Sequence, residues 1–346
     1  MQDAGTQQVG HGVAQRYLDA SDELRAALGI PAKAPLSARS LAQGEHNSNF
    51  WFAHPETGER FVLRVNYVSQ MNLPRQAEYE FNVLKALEPS GCTPRALFVD
   101  ESRTIVDRAL LVTTFCDGEG LDYLKLRDVT RAARLLADVH AVSVPPESGI
   151  IKPDDPLHAQ YLECAGMFER YRTFAGADPF VLSIVEDMLS RARRSLDTPC
   201  PASDCRHILN TEAIAAHFRF TGSDDAGSFL DWEKAVVGEV AQDVAYFLSP
   251  TTTIWDTRFI FEAAERAAFV REYWRAVDGR FGVGAFEERF GAYVMMNCLR
   301  GITWSAKAIV DYADPSVPIK NEKTRKKLAE YVDHAFLEST RERFFL

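Results

Sequence analysis

Apolar residues recur with two different periods along this 346-residue chain, and the change from one to the other divides it. Over residues 1–35 the period is helical: Val13, Tyr17 and Leu18 give one face and Leu24, Leu28 and Ile30 another, before Pro31 and Pro35 stop the run. Beyond that point the period shortens. Leu41 to Phe52, Arg60 to Asn66, Ala96 to Val99 and Ala109 to Phe115 are short β-branched or aromatic segments separated by Gly, Pro, Asn or Asp, which predicts an antiparallel sheet. One helix interrupts them at about Pro74 to Leu87, with Ala77, Phe81 and Leu84 as its apolar stripe and Pro74 in its first turn. After Asp117-Gly118 helical spacing dominates, in Arg131 to Val142 and in about 158–175, 180–196, 258–277, 285–311 and 321–343. Arg206 to Leu209, Ala216 to Phe220 and Ser228 to Asp231 are strand-like exceptions. The pattern predicts an α+β protein: a helical extension (1–37), a small antiparallel β lobe (38–115) and a large, mainly helical lobe (116–346).

Composition narrows the class. With 46% hydrophobic and 11% aromatic residues the chain can bury a substantial core. No apolar run reaches the roughly 18 residues of a membrane span, and Met1 to Gln15 has neither the basic nor the apolar part of a secretion leader. A cytoplasmic protein with no membrane partner is expected. The 49 acidic against 39 basic residues leave a formal net charge of -10, which disfavours a nucleic-acid partner and suits a cationic small-molecule substrate. The six cysteines (Cys92, Cys116, Cys164, Cys200, Cys205, Cys298) are scattered; the closest pair, Cys200 and Cys205, has neither zinc-finger nor CxxC spacing, so reduced structural thiols are expected. Oligomeric state is not legible.

The chemistry concentrates in one stretch. Phe229-Leu230-Asp231-Trp232-Glu233 reads as a buried strand ending in a bare carboxylate, where a divalent cation or a cationic group can meet it; a helix-capping aspartate is the plainer alternative. Asp243 follows twelve residues later, and Asn210-Thr211-Glu212 with His217 precedes it. Further segments fall in order along the chain: Gly44-Glu45-His46-Asn47-Ser48-Asn49, Phe61-Val62-Leu63-Arg64-Val65, Glu80-Phe81-Asn82-Val83-Leu84, Leu111-Val112-Thr113-Thr114-Phe115 and Leu136-Ala137-Asp138-Val139-His140. Together, over about residues 38–330, they resemble the aminoglycoside phosphotransferase and choline kinase superfamily, whose fold is the two-lobed protein-kinase-like one.

The resemblance implies a small-molecule kinase using ATP or GTP with Mg²⁺, or Mn²⁺, and a hydroxyl acceptor of amino-alcohol, aminoglycoside or sugar type. Gly44, Ser48 and Asn49 would form the turn over the phosphates, and Arg64 would stand where the phosphate-contacting lysine does, its fork able to hold two phosphate oxygens. Glu80 would pair with Arg64; Glu78 competes, but residues i and i+2 point apart on a helix, and the frame Phe81, Leu84, Leu87 favours Glu80. Thr113, Thr114, Phe115 and Cys116 would be the connector whose backbone meets the adenine. Asp231 would hold the metal, with Trp232 packed beneath it and Glu233 towards the substrate; Asp243 would brace the catalytic loop, and His140 reads as a satisfied structural histidine.

The catalytic loop departs from the family. Relatives carry His-x-Asp and an Asn five residues later. Counting back from Asp231, fourteen residues lead to His217 and five more to Glu212, so all three signature side chains are replaced, by Asn210, Glu212 and His217. The other register, Asp204 with Asn210, has a gap of six and leaves twenty-one residues to Asp231. Glu212 keeps a carboxylate one methylene longer, and a displacement of about 1 Å can cost roughly 100-fold in rate. His217 could ligate a metal through neutral imidazole, a donor that Mn²⁺ or Zn²⁺ accepts more readily than Mg²⁺. A second reading is therefore open: a catalytically degenerate kinase-like protein that binds nucleotide or metabolite as a sensor or scaffold.

Overall fold

The computed structural model describes residues 2–196, 205–222, 226–255, 257–314 and 322–345. Its elements begin with α1 (Gln2–Ala20), α2 (Asp22–Leu28), β1 (Arg39–Gln43), β2 (Asn47–Ala53), β3 (Arg60–Asn66), α3 (Gln76–Leu87), β4 (Ala96–Asp100) and β5 (Ala109–Thr114). They continue as β6 (Glu119–Gly120), α4 (Leu126–His140), α5 (Pro156–Arg172), α6 (Pro179–Leu196), β7 (His207–Leu209), β8 (Phe218–Phe220), β9 (Gly227–Phe229) and β10 (Val236–Gly238). The remainder is helical: α7 (Ala241–Leu248), α8 (Pro250–Thr253), α9 (Ala263–Val277), α10 (Phe286–Ala313), α11 (Glu322–Tyr331) and α12 (His334–Phe344). The chain is α+β and divides into two compact units, one of residues 1–119, 145–150 and 219–235, the other of 120–144, 151–218 and 236–346.

In the first unit an antiparallel sheet runs β1-β2-β3-β5-β4. Side chains of a strand alternate between faces, so Phe61, Leu63 and Val65 of β3 point one way and Arg64 the other. The apolar face is covered by the N-terminal helices: Ala14, Tyr17 and Leu18 of α1 and Leu24 of α2 join Phe50, Phe52, Leu63, Val65, Leu110 and Val112 in one buried core. The extension is thus part of the unit's interior. Ser21 caps α2 by accepting from the Leu24 amide at 3.2 Å, and Gly29 at φ 68° ends it. Tyr17 Oη donates to Asp100 Oδ2 at 2.6 Å, tying α1 to β4. Helix α3 packs on β4 and β5. Near the end of the first segment Gly118 sits at φ 122°, where an added Cβ would stand 2.6 Å from the Phe220 carbonyl oxygen; only glycine fits.

In the second unit the 28-residue α10 is the central element, packed against α5, α6, α7, α8, α11 and α12. Tyr293, Met296, Cys298, Leu299, Ile302 and Ala306 of α10 are fully buried, and α4 packs on α9. A two-stranded antiparallel ladder pairs β7 with β10, Ile208 opposite Val237. Its end is pinned by the buried Glu239, which accepts from Tyr293 Oη and pairs with Arg289 Nε, each at 2.7 Å.

Several element boundaries differ from the periodicity. The run predicted over 321–343 is two helices, because Asp333 accepts from the Phe336 amide and starts a new one. The run predicted from 258 begins at Ala263, where Glu262 and Glu265 form a capping box; Phe259 and Phe261 before it pack as rings against Tyr123. The strand expected over Ala216 to Phe220 starts as a 3-10 turn at Ala215–His217. Among the described residues Cys92, Cys116, Cys164, Cys205 and Cys298 are outside any disulfide, and burial pushes the Cys298 thiol up to about 12. Cys200 and Asp204 lie outside the described residues.

Candidate active site

Arg64 leaves the polar face of β3, opposite Asn49 of β2 and Leu111 of β5. Its fork is fully engaged: Nε donates to Asn49 Oδ1 at 3.2 Å, Nη1 to Glu80 Oε2 at 2.8 Å and Glu233 Oε2 at 3.4 Å, and Nη2 to Asp231 Oδ1 at 2.8 Å. One guanidinium faces three carboxylates. Burial works against the charge on Arg64, but Glu80, Asp231 and Glu233 outweigh it and hold the guanidinium protonated beyond arginine's ordinary range. For Glu80, burial and the Asp231 charge raise the carboxyl above its usual value while Arg64 pulls it back. Glu78 turns outward to Arg75 Nε at 2.9 Å, so the frame of α3 selects Glu80.

Asp231 sits just after β9 at φ 63°, a left-handed conformation that aspartate tolerates better than most residues. The turn is locked from below: Trp232 is fully buried, its Nε1 donates to the Phe229 carbonyl at 2.8 Å, and its ring meets the Phe229 ring edge-on. Glu233, 7% exposed, accepts from Asn47 Nδ2, and its carbonyl accepts from Gln76 Nε2 at 2.7 Å. It is thus buried among Arg64, Asn47 and Gln76. The Gly44 turn is closed by its own amide donating to the Asn47 carbonyl at 2.9 Å. Ser48 points to the opposite face from Asn47 and Asn49, where its Oγ would lie 3.5 Å from a Cβ placed on Gly10 of α1. Sequence reasoning missed Asn47, whose partner Glu233 lies 186 residues further along the chain. At the end of β5, the Thr114 amide donates to the Arg95 carbonyl at 3.0 Å and the Phe115 amide to the Arg60 carbonyl at 3.1 Å. Thr113 is buried, and burial raises the Cys116 thiol.

In the second unit the loop after β7 carries Asn210, Thr211 and Glu212. Asp243, in the first turn of α7, accepts from the Asn210 amide through Oδ2 and from the Thr211 amide through Oδ1, both at 2.8 Å. Thr211 is held at φ 67°, costly for a β-branched residue. Behind Asp243 stands the fully buried His140, with Nε2 3.4 Å from Asp243 Oδ2 and Nδ1 2.9 Å from Tyr273 Oη. A carboxylate only accepts, so Nε2 carries the hydrogen; in the neutral ring the Tyr273 hydroxyl then donates to Nδ1, and burial keeps that phenol protonated.

Glu212 is gripped on every side. Its amide donates to Asn210 Oδ1 at 3.1 Å, its carbonyl lies 2.8 Å from His217 Nδ1, and its Oε1 accepts from Arg300 Nη2 at 2.6 Å. A carbonyl cannot donate, so His217 carries a hydrogen on Nδ1. Among the described residues no group of three or more His, Cys, Asp and Glu is arranged to hold a metal by itself. Arg300 was also missed. Its signal was a lone arginine inside the apolar run of α10, where a buried charge demands a partner.

Residues 37–282 match the family model described as the phosphotransferase enzyme family, APH. The chain belongs to this family. No curated protein matches it. Among solved structures, a protein assigned as an aminoglycoside phosphotransferase from Ralstonia eutropha superposes with a TM-score of 0.67 at 17% identity, covering 94% of this chain and 97% of its own. The ethanolamine kinase of Plasmodium vivax gives 0.64 at 13% identity, with 94% and 88% covered. Amicoumacin kinase, in complex with AMP-PNP, Ca²⁺ and its amicoumacin ligand, gives 0.60 at 10% identity, with 95% and 96% covered. The fold of this phosphotransferase-family chain is therefore the protein-kinase-like one. Among the described residues no helix is long and apolar enough to cross a membrane.

Proposed function

We propose that this protein transfers the terminal phosphoryl group of ATP or GTP to a hydroxyl of a small, amino-alcohol, aminoglycoside or sugar-like acceptor. The observation that carries the reading is the Arg64 cluster: a charged fork on a rigid strand, oriented by Glu80 and Asn49 and paired with the carboxylate of Asp231. Phosphoryl transfer asks a protein for positioning and charge stabilisation more than for covalent chemistry. Arg64 and Asp231 neutralise each other, and when their contact opens each suits one part of a metal-bound polyphosphate, Arg64 the phosphate oxygens and Asp231 the cation. Mg²⁺ is ordinarily held by one or two carboxylates together with substrate phosphates, so Asp231 is a sufficient protein anchor. A histidine donor such as His217 would suit Mn²⁺ better than Mg²⁺. Glu233 and Asn47 tie the Gly44 strand to the Asp231 turn.

Near the adenine the amides of Thr114 and Phe115 serve the sheet, which leaves the Phe115 to Cys116 backbone as the edge for the ring. Glu212 orients the acceptor hydroxyl and takes its proton, on a loop that Asp243 braces.

A thermal-shift screen with ATP or GTP and Mg²⁺ or Mn²⁺, followed by a coupled turnover assay over the three acceptor classes, tests the reading. Metal-dependent nucleotide binding that Asp231→Asn abolishes is expected; its absence refutes the proposal. Nucleotide binding without turnover on any acceptor would favour the sensor or scaffold reading, which rests on the three replaced loop residues.

A further inference from the structure

The helix α10 brings one more residue to the catalytic loop. Arg300, 5% exposed, donates through Nη2 to Glu212 Oε1 at 2.6 Å and through Nη1 to the Thr211 carbonyl at 2.7 Å. Its Nε lies 3.5 Å from Glu163 Oε2 on α5, and its guanidinium carbon is 5.4 Å from the Tyr246 ring centroid. Each part of the fork therefore has a different task. One nitrogen grips the carboxylate that would do the chemistry, a second grips the strained backbone one residue earlier, and the third faces α5.

From this geometry, and resting on the phosphotransfer reading above, we infer that Arg300 is a positioning residue that makes the longer Glu212 a working replacement for an aspartate. A glutamate has one more rotatable bond than an aspartate, so its carboxylate sweeps a wider volume unless something fixes it. Asp243 holds the loop by two amides on one side; Arg300 holds the Thr211 carbonyl and the Glu212 carboxylate on the other. Only a planar fork can do both at once, which is why lysine would not substitute for it. Arg300 lies 88 residues from Glu212 in sequence, yet the rigid, buried middle of a 28-residue helix fixes where its fork can reach.

The test is a mutant cycle on kcat, with single-turnover measurements for the slow variants. Arg300→Lys keeps the charge and loses the fork: kcat should fall about 100-fold, the effect of displacing a reacting group by about 1 Å, with the nucleotide KM unchanged. In the Glu212→Gln background the same Arg300→Lys change should cost nothing further, because its effect passes through Glu212. Glu212→Asp, which leaves Arg300 in place and shortens the reach, covers the case in which Arg300→Lys folds poorly; it should lower kcat while leaving the melting temperature close to native. An unchanged kcat in Arg300→Lys, or an equal factor lost with and without Glu212, would overturn the assignment. Native protein without turnover on any acceptor would instead end the phosphotransfer reading and the positioning role with it.

Discussion

Arg64→Met removes the cation that Glu80, Asp231 and Glu233 share and fills most of its volume with apolar atoms. The side chains of Glu80 and Glu233 are only 5% and 8% exposed, so neither regains its hydration by turning outward; Asp231, at 27%, does so in part. Removing one partner of a buried ion pair costs about 3–5 kcal/mol. Glu80 has an escape, which is to bind a proton. For a carboxyl of ordinary pKa about 4.3, protonation costs about 3.7 kcal/mol at pH 7 and about 1 kcal/mol at pH 5. The loss should therefore be about 3–4 kcal/mol at pH 7 and about 1–2 kcal/mol at pH 5. The sign follows from linkage. Burial already lifts Glu80 in the folded protein, and Arg64 pulls it back; without Arg64 the folded value rises further, so the added penalty is absent below the unfolded value and grows as pH rises through the window between the two. Urea unfolding of native and variant protein, followed by tryptophan fluorescence at both pH values, measures it. A loss below about 1 kcal/mol at pH 7, or one of equal size at pH 5, would refute the idea that these carboxylates depend on Arg64.

Leu18→Ala opens a cavity between α1 and the sheet, where Leu18 is fully buried, and should cost about 2–5 kcal/mol by the same urea assay; a surface-like effect would mean that α1 does not belong to this core. Asp243→Asn keeps the shape but leaves one of the Asn210 and Thr211 amides facing an NH₂ group, so it should lower kcat by one to two orders of magnitude with nucleotide affinity unchanged, as read by steady-state kinetics and calorimetry. Burial alone would raise the Asp100 carboxyl, but hydrogen bonds from Tyr17 and Ser102 outweigh it and lower it. Its contribution is therefore present above the unfolded value of about 3.9 and lost as pH falls through the folded one, so the deficit of Asp100→Asn against native should be full at neutral pH and shrink below about pH 4 in pH-dependent melting.

What the sequence made legible was what short-range periodicity encodes. The alternation of β3 put Arg64 on the face away from Leu63 and Val65, and the helical frame of α3 separated Glu80 from Glu78. The buried strand before Asp231 and the helix start at Asp243 were also visible, because each is fixed by a few residues beside it: Phe229 and the buried Trp232 for the first, the opening of α7 for the second. The polar companions of these groups were not visible. Asn47 and Gln76 meet Glu233 from 186 and 157 residues away, and no local pattern carries such separations. Ser48 belonged to the Gly44 motif by position, yet strand alternation turns its side chain towards α1. The role of residues 13–36, which precede the family match at 37, is likewise tertiary, since their apolar faces become meaningful only beside Phe50, Phe52 and Leu63.

The three replacements in the catalytic loop bear on whether that loop can work. Taken one at a time they look like losses: a histidine, an aspartate and an asparagine gone. In the folded loop Asn210 holds the Glu212 amide, His217 holds the Glu212 carbonyl, and Arg300 holds the Glu212 carboxylate. Two of the three substituted side chains thus hold the backbone of the third residue. A loop with no remaining constraint on its carboxylate would not need its amide, carbonyl and side chain fixed by three separate groups, nor the Thr211 backbone kept in a costly conformation by Asp243 and Arg300. Strain of that kind persists only where the surroundings over-determine it. On the proposed phosphotransfer reading, this arrangement is the one that an enzyme tuned to glutamate requires. It follows that Glu212→Asp, although it restores the residue relatives carry, removes the group that Arg300 reaches and should lower turnover rather than raise it.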